Sequence, residues 1–145
     1  MRATSGPKPG FTIVETTIVV AIAAALLAIM LPRAAQFVDR IEVRGAVTEI
    51  ESLFSLARHV AIARGAQVTL DIDPANRTLS IWTGSELIRM REVGLAHGVQ
   101  LSSNRPSVTY SPIGVGYGAS NLTMVVTRNS AADTIVVSRL GRVRH

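Results

Sequence analysis

The sequence predicts an α+β fold. One long N-terminal helix, part membrane-spanning and part amphipathic, packs on a C-terminal antiparallel β-rich domain. Three observations predict it. Residues 11–31 form an apolar run of 21 residues whose one charged side chain is Glu15. As a helix this run reaches about 31 Å at ~1.5 Å per residue, enough to cross a hydrocarbon core of ~30 Å. Beyond Pro32, apolar residues keep recurring three and four positions apart as far as Ala61. After Gly65 the period drops to two, and Gly, Pro, Asn and Asp punctuate the chain to its end.

The elements follow in order. Residues 1–10 are a polar leader with Arg2, Lys8, Pro7, Pro9 and Gly10. Positive charge before a first span sets orientation, so the leader is expected in the cytoplasm and residues 33–145 outside, in a periplasm where the cell has one. Residues 11–32 are the span. Pro32 removes one backbone donor and can kink a helix, yet Ala35, Val38, Ile41, Ala46, Val47, Ile50, Leu53, Phe54, Ala57, Val60 and Ala61 mark an apolar stripe beyond it. Asp39, Arg40, Glu42, Arg44, Glu49, Glu51 and Arg58 are assigned to the opposite, polar face. Gly65, after Arg64, is a natural helix terminator.

Val68, Leu70 and Ile72 alternate with Thr69 and Asp71 as a strand, and residues 73–76 (Asp-Pro-Ala-Asn) read as a turn. Leu79 and Ile81 mark its hairpin partner, and Gly84-Ser85 is the next turn. Residues 87–93, 99–101 and 107–110 are shorter strands, and the Gly-rich stretch 112–118 is a loop. Residues 122–127 and 134–138 form a last hairpin across 129–133.

Composition narrows the chemistry. There is no cysteine, hence no disulfide framework, thiolate metal site or cysteine nucleophile. His59, His97 and His145 are scattered, and no serine sits in a G-x-S-x-G elbow. Asp71 and Asp73 face one side at a strand end, which reads as a solvated turn; no metal, cofactor or catalytic residue is assigned. Residues 33–145 carry thirteen arginines against nine acids. That excess suits lipid headgroups, an acidic partner or nucleic acid without selecting among them, and the scarcity of aromatics argues against a base-stacking surface.

Gly10, Phe11, Glu15 and the apolar run together resemble the type III signal of type IV pilins and type II secretion pseudopilins. The resemblance implies that a prepilin peptidase cuts between Gly10 and Phe11 and N-methylates Phe11, with the apolar helix retained. An ionised carboxylate in such a run costs on the order of 2.5–3.5 kcal/mol, so Glu15 needs a partner, a place near an interface, or both. Cleavage would supply a partner: the ammonium of Phe11 on an axially shifted neighbour in a filament. The segments Tyr110-Ser111-Pro112-Ile113-Gly114 and 135–144 narrow the resemblance to the GspH/FimT family of minor pseudopilins, and so to a pilin-like fold.

The resemblance implies a structural subunit of the bacterial inner membrane that partners other pilin or pseudopilin subunits. The reading placed first is a type II secretion pseudopilus subunit. The alternative is a FimT-type minor pilin that binds DNA for natural transformation through Gly141, Arg142, Val143 and Arg144, with Arg139 and His145 extending the patch. In an extended tail, Arg142 and Arg144 point the same way, and guanidinium forks suit phosphate. The competing view is a solvated basic tail.

Overall fold

The computed structural model describes residues 10–118, 121–139 and 142–144. The chain divides into two compact units, Met1–Ala35 and Gln36–His145. Helix α1, Ile13–Arg64, contributes to both and includes Pro32 in its interior. In the first unit every residue from 10 to 35 is exposed, and the stretch is long and apolar enough to cross a membrane.

In the second unit α1 becomes amphipathic. Val43, Ala46, Val47, Ile50, Leu53, Phe54, Ala57 and Ala61 are buried at helical spacing. The stripe starts later than the sequence suggests: Val38 and Ile41 are about half exposed, and the buried apolar positions begin at Val43. At its other end α1 stops where Gly65 takes φ +59 and donates to the Ile62 carbonyl.

Two antiparallel sheets complete the core. The first has the order β3-β2-β1-β5, from β1 Val68–Asp73, β2 Thr78–Thr83, β3 Glu86–Arg91 and β5 Ser107–Tyr110. The second has the order β4-β6-β7-β8, from β4 Gln100–Ser103, β6 Leu122–Arg128, β7 Ala131–Val137 and β8 Val143–Arg144. The alternation read from the sequence sets the inward face: Val68, Leu70, Ile72, Leu79, Ile81, Val108 and Tyr110 from the first sheet join Leu122, Met124, Val126, Ile135 and Val137 from the second in one apolar cluster with α1. Burial pushes the Tyr110 phenol up to about 12. The turn after β1 forms as read. Asp73 accepts from the backbone N–H groups of Ala75 and Asn76 and from the Asn76 amide, and these bonds hold its carboxyl below the usual range.

Two local expectations are corrected. The strand expected over 87–93 ends at Arg91, and Val93–His97 forms a short helix, α2. Helix α2 is tucked in by its glycine: a Cβ on Gly94 would lie 2.3 Å from the Arg77 Cβ and 2.9 Å from the Val99 carbonyl oxygen. The last hairpin turns earlier than expected. Arg128 pairs with Ala131, so the turn is Asn129-Ser130 and β7 begins at Ala131 rather than 134. Asn129 permits this because it tolerates the left-handed backbone, here φ 49.

Candidate functional site

The residues singled out near the N-terminus occupy the start of α1. Gly10 and Phe11 precede the helix and are exposed. Thr12 caps it: its Oγ1 accepts from the Glu15 backbone N–H at 3.2 Å. Thr12 and Glu15 therefore stand in the T-x-x-E spacing of a capping box, with Glu15 in the first turn. The bond comes from the Glu15 backbone, so it is this position in the first turn that is additional to the role drawn from the sequence, with the three-residue spacing as its available signal.

The basic residues of the C-terminus lie in the second unit. Strand β8 adds to the edge of β7, with Val143 opposite Val137 and Arg144 opposite Val136. Ahead of it, the Ser138 N–H donates to the Arg142 carbonyl, 2.8 Å, and the Arg142 N–H donates to Ser138 Oγ, 3.2 Å. These bonds place Arg142 and Arg144, both exposed, along a groove of about 390 Å³ shared with Glu51, Ser55, Arg58 and His59 of α1. A two-residue tail motif thus becomes part of a lined cleft holding three guanidinium groups, an imidazole and one carboxylate. Arg139 is exposed but does not line it. Gly141 and His145 lie outside the described residues.

Arg58 was missed as a groove residue because the helical pattern treats it as an ordinary polar-face position, and His59 because in the sequence it is one of three scattered histidines. Only the docking of β8 shows that they oppose the tail. Chemically the groove can take an anionic group through charge-assisted hydrogen bonds. Among the described residues no group of three or more His, Cys, Asp or Glu is gathered to hold a metal ion.

The polar face of α1 differs from its reading in one important place. Asp39 is buried, with Arg128 Nε at 3.0 Å and the Asn129 amide at 3.0–3.1 Å from its two oxygens. Glu42 and Glu49 are half-buried, drawn against His97 of α2.

An apolar helical stretch left uncovered at its start, with a two-sheet antiparallel domain packed on its later turns, defines a pilin-like structural subunit. The fold is similar to that of the type IV minor pilin FimU of Pseudomonas aeruginosa strain PAO1, with a TM-score of 0.63 and 16% identity over 74% of this chain and 90% of that one. It is also similar to the minor pseudopilin EpsH from the type 2 secretion system of Vibrio cholerae, with a TM-score of 0.56 and 15% identity over 71% of this chain and 94% of that one. At these identities the likeness is one of fold. No curated protein matches the chain. Residues 46–141 match the family model described as Type II transport protein GspH. The chain belongs to this family of minor pseudopilin and pilin subunits, which are structural proteins that assemble with other such subunits.

Proposed function

We propose that the chain is a minor pseudopilin of a type II secretion system, a structural subunit of the pseudopilus that moves proteins across the outer membrane. The observation that carries this reading is the match of residues 46–141 to a family described by type II transport. In this reading residues 11–32 anchor the chain in the bacterial inner membrane and residues 33–145 lie in the periplasm. A prepilin peptidase removes residues 1–10 and methylates Phe11. The exposed Gly10-Phe11 junction, which precedes the first helical turn, supports access for such an enzyme. Mass spectrometry of the N-terminal peptide from native membranes is expected to show N-methyl-Phe11; any other mature N-terminus overturns the processing step.

A second reading is favoured by a specific observation: the groove that sets Arg58 and His59 across from Arg142 and Arg144. It is a type IV pilus minor pilin that holds DNA by its phosphates. Such contact is independent of sequence and weakens with salt. Replacing both Arg142 and Arg144 by Ala is expected to lower the slope of log affinity against log salt by about two on duplex DNA, with the full chain in detergent.

A chromosomal deletion separates the two readings. Loss of secreted protein, restored equally by wild type and by the double-alanine variant, supports the secretion role. Loss of DNA uptake, restored by wild type alone, replaces it with the second reading.

A further inference from the structure

Arg64, Arg91 and Arg128 each meet a carboxylate. Arg40 and Arg44 of α1 do not: among the described residues neither guanidinium makes an ion pair or a hydrogen bond. Both are exposed, and at four positions apart they stand on one face of the helix. Like charges at that spacing oppose helix formation, so the pair does nothing for α1 itself.

The two arginines line one wall of a groove of about 410 Å³, and Ser130 and Asp133 line the other. Asp133 makes no ion pair with them; its Oδ1 accepts from the Thr134 backbone N–H at 2.7 Å. The face has an apolar half as well. At about 100° per residue, Phe37, Arg40, Ile41 and Arg44 fall within an arc of about 100°. Phe37 and Ile41 are 65% and 52% exposed.

We infer that this face of α1 is a docking surface for an acidic amphipathic helix of a different pilin-like subunit, whose carboxylates meet Arg40 and Arg44 and whose apolar residues cover Phe37 and Ile41.

The combination of features selects that occupant. Acids four positions apart on a helix rise by about 6 Å, the same interval that separates the two arginines, and guanidinium forks suit carboxylates. A nucleic acid would satisfy the arginines but leave Phe37 and Ile41 uncovered. An anionic lipid surface would cover the apolar pair but press its charge against Asp133. A second copy of this chain is also a poor match. Over residues 36–46 its acids are Asp39 and Glu42. Asp39 is buried against Arg128 and Asn129, and Glu42 is bonded to His97. Two copies meeting at this face would therefore set arginine against arginine. The family assembles with other pilin and pseudopilin subunits, and either machine could supply such a helix, so the outcome does not depend on which one the chain serves.

The test is photo-cross-linking of the full chain in the cells that make it, with p-benzoylphenylalanine in place of Ile41. Ultraviolet light is expected to give an adduct with one other pilin-like subunit. Mass spectrometry of the cross-linked peptide should place the bond in a segment with Asp or Glu four residues apart. Yields are normalised to the chain present in the membrane fraction. Arg40→Glu combined with Arg44→Glu should cut the adduct about tenfold or more, because like charges then face each other across the contact. Arg40→Lys combined with Arg44→Lys keeps both charges and should retain most of it. An adduct with a second copy of this chain or with lipid alone overturns the proposal. So does the absence of any adduct, or an adduct indifferent to the two glutamate substitutions.

Discussion

Glu15→Ala is expected to leave the chain membrane-inserted and to lower its entry into filaments by about a hundredfold or more. Residues 10–35 are exposed in the single chain, so side-by-side packing of these stretches would take Glu15 out of both water and lipid. Paired with the Phe11 ammonium of a shifted neighbour, the carboxylate is neutralised. Removing one partner of such a pair leaves the other charge buried, at a cost of roughly 3–5 kcal/mol, and each 1.4 kcal/mol is a factor of about ten.

The capping position of Glu15 supplies a competing explanation with its own test. Were the Glu15 side chain to bond back to the Thr12 backbone, as the T-x-x-E spacing allows, its loss would weaken the first helical turn by about 1 kcal/mol or less. Glu15→Gln separates the two effects, because glutamine serves a capping box and carries no charge. The amounts in sheared filaments and in the membrane fraction, compared by quantitative immunoblot, give the answer. Both variants should fail alike. Should Gln assemble normally while Ala does not, Glu15 acts as a cap. Should both assemble, the pairing is wrong.

What was legible in the sequence was whatever repeats. The buried stripe from Val43 to Ala61 and the alternating cores of β1, β2 and β6 follow from periods of 3.6 and 2, because burial on one face imposes those periods on the residues themselves. What was not legible is what occurs once. Helix α2 is five residues long, less than two turns, so no periodicity can accumulate; its signals are a glycine that nothing larger could replace and the left-handed Gly98 that ends it. The start of β7 at Ala131 depends on a tight turn at Asn129, and that turn is held by a residue 90 positions earlier. The candidate groove was half legible for the same reason. The spacing of Arg142 and Arg144 is local, whereas their meeting with Arg58 and His59 depends on which edge β8 joins.

Asp39 is where the two kinds of information conflict most, and its replacement is the second large effect expected. By pattern it belongs on the polar face of α1, where an alanine would cost almost nothing. The structure buries it to 7% exposure and gives it three hydrogen bonds: Oδ1 accepts from Arg128 Nε and Asn129 Nδ2, and Oδ2 accepts from Asn129 Nδ2. Arg128 in turn reaches the His97 carbonyl, so a single carboxylate ties the β6–β7 turn and, through it, the end of α2 to α1. Asp39→Ala strands a partly buried guanidinium and an amide together, at a cost of about 2–3 kcal/mol, the lower range for a broken pair because Arg128 remains 28% exposed. In urea unfolding of the full chain in detergent the midpoint should drop by about 1 M or more with the slope unchanged. Asp39→Asn keeps an acceptor oxygen at the same place and should cost about half as much. A double-mutant cycle with Arg128→Ala should show coupling above about 1 kcal/mol, since the two groups touch. A loss below about 0.5 kcal/mol in Asp39→Ala would return the residue to the surface role its spacing suggests, and would mean that Asn129 holds its left-handed turn unaided.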